Sequence, residues 1–445
     1  MGPLPASASA AAPASTEAAN QDRSADTSGA ADPLVALGEH RLLGNYRQAP
    51  FVLERGVACT VYDTRGRRYL DLCAGVAVSA LGHAHPRLTA TIVEQAGKLM
   101  HVSNYFYNAE NVRLAAELCD KTGYDRAFFC NSGAEAVEAM LKLARRHFFA
   151  QGQVDRYRII AFNQSFHGRT LGAIAVTGNT KYREGFGPTL AGVTLVNFGD
   201  AAAVRAAMGP DVAAILVEPV QGEGGVFPAP DGFLAELRRI TDEHGALLLI
   251  DEIQTGMGRT GRLLGSEHDG VTGDAITLAK GLGGGFPIGA LLVREKLAGA
   301  LPPGTHGSTF GGNALASAAA RTVLAVLEDE GLITATAEKG ERLGKALAAL
   351  AARYPKLCKG ERGRGLLRGL VLQPGVDARV VLTKIRERGV LLTIAGSDAI
   401  RFSPPLIVTD AELDEGLRAV DSVLAEMSSE ACPARARRCG RRGGA

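Results

Sequence analysis

Two ionisable residues close short apolar runs in this chain: Asp251 follows ALLLI and Lys280 follows AITLA. Short apolar runs bounded by turn signals read as buried strands of a parallel sheet. Ligands of open α/β sheets bind beyond the carboxyl ends of such strands. The acid and the amine would therefore face one crevice. A lysine in an apolar pocket loses its proton and can attack a carbonyl to give a Schiff base. Taken alone, the two residues are more economically an ordinary buried ion pair.

Four further stretches bear on that choice. In NSGAEA, a helix opening at Ser132 after a strand leaves the backbone of Gly133 and Ala134 accessible. The free N–H groups and dipole of a helix start bind phosphate, although Ser132 with Glu135 is also a capping box. In SFHGRT, Phe166 can stack on a flat ring and Arg169 can grip a carboxylate with two bonds; a loop Phe and a surface Arg explain them equally. VEPVQGEGG sets Glu218 and Glu223 near the same sheet edge, as functional acids or as turn caps. HGSTFGGNA offers the hydroxyls of Ser308 and Thr309 for another phosphate contact, or simple turn chemistry with Asn313 as an N-cap. Pyridoxal phosphate would draw on all of these: a lysine, a carboxylate for its ring nitrogen, and a phosphate cradle.

The elements that must position these residues alternate between strand and helix from about Arg126 to Leu292. Strands are predicted at Ala127–Cys130, Ile159–Phe162, Val193–Asn197, Ala213–Val217, Ala246–Ile250, Ala275–Ala279 and Gly289–Val293. Helices are predicted at Ala134–Phe149, Ala201–Ala207 and Gly232–His244. That alternation argues an α/β fold with a mainly parallel sheet flanked by helices. Helical periods also run over Pro86–Leu99, Asn313–Leu327 and Ile333–Ala352. Beyond Gly360 come strand 365–372, helix 378–387, strands 390–392 and 399–402, and helix 410–425, a small α+β domain. Before the sheet, a helix over Pro33–His40 and short antiparallel strands at 51–53, 59–62 and 68–72 are expected.

The expected division is a disordered tail over 1–33, a segment over 34–85 packing with the small domain, a large domain over 86–330, the small domain over 331–428, and a basic tail over 429–445. The 445 residues are 46% apolar, with 55 glycines and no Trp. The net charge of +2, from 49 basic and 47 acidic residues, gives no reason to expect nucleic acid as a partner. No run of about 18 apolar residues predicts a membrane span. Seven scattered cysteines without metal-type spacing point to reduced cytoplasmic thiols and no metal site.

In this order, SGAEA, FHGRT, VEPVQGEGG, LLLIDEIQTGMGRTG, LAKGLGGGFPIGA and HGSTFGGN resemble the class III aminotransferases of the ornithine/acetylornithine type. YDTRGRRYLDLCAGVAVSALGHAHPRL and HVSNYFY are similar to this family as well, so the resemblance spans about Leu42 to Leu424. It implies fold-type I pyridoxal-phosphate architecture, with Lys280 as the covalent and proton-moving lysine and Asp251 on the ring nitrogen. Gln254 would meet the ring hydroxyl, Phe166 and Ile253 the two ring faces, and Ser132, Gly133 and Ala134 the phosphate. Thr309 would reach the phosphate held by the other subunit, implying a homodimer with shared sites.

On the substrate side, the resemblance makes Arg169 and Arg401 carboxylate clamps and Glu223 the acid that pairs with Arg401 when an ω-amino donor is bound. Ser308 would contact donor from the partner chain. The implied reaction moves the terminal amino group of N2-acetyl-L-ornithine to 2-oxoglutarate, giving N-acetyl-L-glutamate 5-semialdehyde and L-glutamate, a step of arginine biosynthesis. N-succinylornithine, N-succinyldiaminopimelate, ornithine and 4-aminobutyrate are the alternative donors. Val76 stands where ornithine enzymes carry Tyr, which favours an acylated donor, whereas Tyr46 matches a tyrosine of the ornithine enzymes. A dinucleotide-binding module is disfavoured because no GxGxxG follows a strand with an acid about 20 residues on. A catalytically silent relative would be expected to lack Lys280 or Asp251.

Overall fold

The computed structural model describes residues 32–430. The expected tails therefore lie outside the described residues, apart from Asp32 and Pro33 at one end and Ser429 and Glu430 at the other. The described residues group into two compact units: 32–55 with 62–68, and 56–61 with 69–430. In the smaller unit a helix runs over Pro33–Arg41. Proline opens it with its φ already helical, and the Asp32 carboxylate caps Leu34 N–H at 2.8 Å. The strands expected near the start lie at Leu53–Val57, Thr60–Asp63 and Arg68–Asp71.

The larger unit is organised on a seven-stranded sheet. Its strands are β1 (Arg126–Cys130), β2 (Arg158–Phe162), β3 (Val193–Val196), β4 (Val212–Val217), β5 (Leu247–Asp251), β6 (Ala275–Leu278) and β7 (Gly289–Val293). The spatial order is β1-β7-β6-β5-β4-β2-β3. Pairing is parallel from β6 through β3. β7 is the exception: it runs against both of its neighbours.

Alternation along β5 shows why both faces are apolar. Leu247 and Leu249 enter one core cluster, with Val137, Met140 and Leu141 of helix Gly133–Ala150. Leu248 and Ile250 enter the other, with Leu234, Leu237 and Ile240 of helix Phe233–His244. A strand covered on both sides needs this near-continuous apolar text.

Helices Ala314–Asp329 and Leu332–Arg353 lead to an antiparallel sheet of β8 (Cys358–Arg364), β9 (Leu367–Leu372), β10 (Thr393–Ala395) and β11 (Ala399–Phe402), in the order β8-β9-β11-β10. The single strand expected at 365–372 is thus the second of a pair, because CKGERGR offers no apolar alternation to mark β8. The strand Val390–Leu391 instead pairs in parallel with Leu70 and Asp71. The last helix continues to Glu430, five residues beyond its expected end and two into the expected basic tail.

A buried arginine ties the loop after β5 to this smaller sheet. Arg259 Nη1 donates to Leu366 O at 3.1 Å and to Pro404 O at 2.6 Å. Burial without a carboxylate partner pushes its pKa down to about 9.

Candidate active site

Three adjacent parallel strands deliver ionisable groups to one edge of the large sheet. β4 ends immediately before Glu218, β5 ends on Asp251, and β6 ends two residues before Lys280. They border a cavity of about 390 Å³, within the usual range for small-molecule sites. Of the residues predicted from sequence, Ser132, Gly133, Ala134, Phe166, Arg169, Glu223, Asp251, Ile253, Gln254 and Lys280 all line it.

Asp251 is 3% exposed and fully engaged. Oδ1 accepts from Ile253 N–H and from the Thr277 hydroxyl, both at 3.0 Å. Oδ2 lies 2.7 Å from Nδ1 of His167, a side chain without solvent exposure. The β5–β6 register, which sets Asp251 opposite Thr277, makes the hydroxyl contact inevitable. Lys280 opens onto the cavity with φ of 45°, a left-handed backbone unusual for a side chain. Its pKa is lowered, chiefly because burial disfavours the ammonium form; Glu223 opposes that shift and Arg401 adds to it.

Glu223 forms the second centre. Its Oε1 lies 2.5 Å from Arg401 Nη1 and accepts weakly from Gln254 Nε2 at 3.4 Å. Burial works to raise the Glu223 pKa, but the charges of Arg401 and Lys280 outweigh it and hold the carboxyl below its ordinary range. Arg401, on β11, is 2% exposed and stands behind Glu223 rather than on the cavity wall. The ion pair covers it, the arrangement expected of Glu223 and Arg401 before a dicarboxylate enters. Arg169 lines the cavity directly, its guanidinium carbon 3.7 Å over the Tyr182 ring.

The helix start at Ser132 is built as expected, with one difference. Ser132 Oγ accepts from Glu135 N–H at 3.3 Å, while the Glu135 carboxylate reaches back to Asn131 N–H rather than to Ser132. Ser308 and Thr309 do not line the main cavity. They border a neighbouring one of about 300 Å³, on the far side of Asn131, whose Nδ2 donates to Ser308 Oγ at 3.2 Å. The loop before helix Ala314–Asp329 runs along that outer side, so neither hydroxyl reaches the Lys280 edge within one chain.

Val78 lines the cavity, and Val76 does not. Ala74, Gly75, Val76 and Ala77 form a left-handed turn with φ of 47°, 60°, 69° and 61°, a conformation costing roughly 1–2 kcal/mol per residue for side chains other than glycine. Asp71 holds it by accepting from Cys73 N–H at 2.9 Å and Ala74 N–H at 2.8 Å, while His83 Nε2 braces the other oxygen at 2.7 Å. The turn aims Val78, two residues on from the position weighed in the sequence, at the site.

His167, Thr277 and the ceiling Gly285–Ile288 were missed from sequence. His167 lies inside the FHGRT motif, and alternation beside a cavity-facing Phe166 was the available signal.

A model for aminotransferase class-III matches residues 44–424. The chain belongs to the class III aminotransferases. It is 50% identical over 392 residues to the acetylornithine aminotransferase of Myxococcus xanthus, covering 88% of this chain and 97% of that protein. Among solved structures, the ornithine aminotransferase from Toxoplasma gondii ME49 superposes with a TM-score of 0.86 at 35% identity, covering 89% of this chain and 95% of that one. The N-acetylornithine aminotransferase from Stenotrophomonas maltophilia K279a does so with 0.77 at 40%, covering 89% and 100%.

This aminotransferase is therefore a pyridoxal-phosphate enzyme of the α/β fold-type I class, and its cavity fits that cofactor. A Cβ on Gly133 would come within 2.8 Å of Ile253 Cδ1, so only bare backbone fits between the helix start and the cavity wall. Gln254 Oε1 is buried there without a hydrogen-bond partner, and the Lys280 amine is biased toward its neutral form. When bound, the cofactor supplies a carbonyl for amines and a conjugated ring that takes up an electron pair. Among the described residues, no group of His, Cys, Asp and Glu could hold a metal ion, and no helix is long and apolar enough to cross a membrane.

Proposed function

We propose that this enzyme transfers the terminal amino group of N2-acetyl-L-ornithine to 2-oxoglutarate, giving N-acetyl-L-glutamate 5-semialdehyde and L-glutamate, within arginine biosynthesis. The observation that carries the reading is the Glu223–Arg401 pair at the cavity wall. With the pair closed, the wall is neutral beside Lys280 and accepts the terminal amine of a donor. With Glu223 turned aside, Arg401 is free for the second carboxylate of a dicarboxylate acceptor. One pocket can thus serve both halves of a ping-pong cycle. Val78 keeps that part of the wall aliphatic, and two of the three relatives above are named for acetylornithine, an acylated donor.

In this reading Lys280 accepts and returns the proton, and its burial biases the amine toward the neutral form that can do so. Asp251 holds a proton on the cofactor ring, with His167 and Thr277 fixing its orientation. Ser132, Gly133 and Ala134 hold the phosphate, Gln254 the ring hydroxyl, and Phe166 and Ile253 the two ring faces. Arg169 grips the carboxylate remote from the reacting centre, the α-carboxylate of the donor and the distal carboxylate of the acceptor.

The proposal includes a homodimer in which Ser308 and Thr309 serve the site of the other subunit. Their separation from the Lys280 cavity supports this. So does the exposed run Tyr105–Tyr107, tied to their loop by Asn104 Nδ2 donating to Ser308 O at 2.9 Å. It also includes the division into a large domain over 86–330 and a small one over 331–428, with 34–85 on the latter. The pairing of Leu70 and Asp71 with Val390 and Leu391 supports this for the part of that segment from Tyr69 onward. A cytoplasmic setting is supported by the free thiols of Cys59, Cys73, Cys119, Cys130 and Cys358.

Comparing kcat/KM for N2-acetylornithine, N-succinylornithine, ornithine and 4-aminobutyrate tests the reading. Acetylornithine is expected to exceed free ornithine by at least about tenfold, the value of one well-used contact. A preference for free ornithine or 4-aminobutyrate would overturn it.

A further inference from the structure

The strand register raises a question about charge that the transamination scheme leaves open. β4 and β5 pair in parallel up to Val217 opposite Ile250. The next residues on the two strands are Glu218 and Asp251. Neighbouring strands lie about 4.8 Å apart, and residues at matching positions point to the same face. Two carboxyls are thus brought together on one wall of the cavity, which both line.

Their surroundings are unequal. Asp251 accepts from a backbone N–H, from a hydroxyl and from the His167 ring. Glu218 accepts one hydrogen bond, from Phe166 N–H at 3.2 Å, and no Lys, Arg or His among the described residues forms an ion pair with it. The other charged groups around the cavity are Lys280, Glu223 with Arg401 behind it, and Arg169. Three acids, Glu223, Asp251 and Glu218, act on Lys280, and of these Glu223 is committed to Arg401. Two like charges side by side on a buried wall oppose each other's ionisation, and the member with more hydrogen-bond donors carries a charge at lower cost.

We propose that Glu218 enters the site as a neutral carboxylic acid, a proton-bearing neighbour that leaves Asp251 the sole carboxylate on that wall. Glu218 then presents an O–H donor, not a base, toward the bound ligand. Its ionisation would set a second negative charge beside Asp251 and alter the field at Lys280. Burial, and secondarily Asp251, raise the Glu218 pKa well above its ordinary value, in keeping with this geometry. The inference concerns the protein alone and does not rest on the choice of donor.

Infrared difference spectra of the holoenzyme against Glu218→Gln provide the direct test. At neutral pH the wild type should show a protonated carboxyl C=O band that the variant lacks. The buried Glu252 contributes equally to both and cancels. Linkage gives an independent readout. A carboxyl with a raised folded pKa adds stability that is complete below its ordinary value of 4.5 and is lost as pH rises through the folded value. Gln does not titrate, so Tm of the variant minus that of wild type should grow by about 2–4 °C from about pH 5 to about pH 9. The alkaline limb of the kcat/KM profile should move to higher pH in the variant.

An absent difference band, with the two melting temperatures changing in parallel, would overturn the proposal whatever the substrate proves to be. Should Glu218→Gln fail to fold, Glu218→Met serves in the same infrared subtraction, where a missing band is equally decisive.

Discussion

Asp251 and Arg401 are both buried charges at the same site, yet they are held in opposite ways. Asp251 sits on a central strand and is fixed by donors from three directions, two of them supplied by neighbours on β6 and the segment after β5. Arg401 comes from the small antiparallel sheet and balances its charge against one acid, Glu223, across the cavity wall. Thr393 Oγ1, at 3.0 Å from Nε, orients the guanidinium but cannot neutralise it. The first arrangement allows one geometry. On the function proposed above, the second allows two, because an incoming carboxylate would replace Glu223. The contrast teaches that the constant part of the chemistry is over-determined, while the part that must change between half-reactions depends on one replaceable contact.

Breaking the over-determined side should do the most damage. Asp251→Asn keeps the shape but removes the charge and one acceptor set, so kcat should fall by roughly 10²–10⁴-fold in both half-reactions. Stopped-flow traces of the donor and acceptor halves would read this, and a loss confined to one half would show that Asp251 is not common to both. Arg401→Met should act unevenly. It strands the Glu223 carboxylate, a change worth about 3–5 kcal/mol when a buried partner is removed, visible as a lowered Tm. The acceptor half-reaction should weaken far more than the donor half. Equal losses in both would erase the distinction drawn here.

Glu223→Gln is the mildest. The donor should bind less well, with KM rising about tenfold, whereas the dicarboxylate, no longer competing with an internal carboxylate, should bind at least as tightly. Initial rates at varied donor and acceptor separate the two. The wild-type pair is present above the ordinary Glu value of 4.5 and is lost as pH falls through the depressed folded value, so the two enzymes should converge in acid.

Much of this was readable in the residues. The runs before Asp251 and Lys280 are short, apolar and closed by turns, and they became adjacent strands because a strand buried on both faces has almost no other way to be written. The cavity residues drawn from the motifs came together with them. What escaped depends on register and on loops. Thr277, and the place of Glu218 beside Asp251, acquire meaning only when β4, β5 and β6 are aligned, and a single chain of letters carries no register. The left-handed turn at Ala74–Ala77 was invisible because Ala and Val favour negative φ; Asp71 and His83, distant in the motif, impose it. β8 was hidden for the opposite reason, since its charged residues resemble a loop until β9 pairs with them. Helix Ala109–Thr122 is marked in the residues themselves, with Asn108 capping one end and Gly123 closing the other.

The reversed strand β7 has a consequence for how the lysine is placed. Because β7 turns straight back beside β6, Leu278 meets Ala290 only 12 residues further on. Across the sheet's edge, Gly289 must find Cys130, 159 residues away. Chain closure grows costlier with the logarithm of separation, so the nearer pairing is favoured by about 2 kcal/mol on entropy alone. Every other pairing in the seven-stranded sheet spans a longer stretch of chain. Lys280 therefore sits in the hairpin whose contacts are the most local in the sheet, and its position is encoded by its immediate neighbours rather than by the long-range closure of the domain.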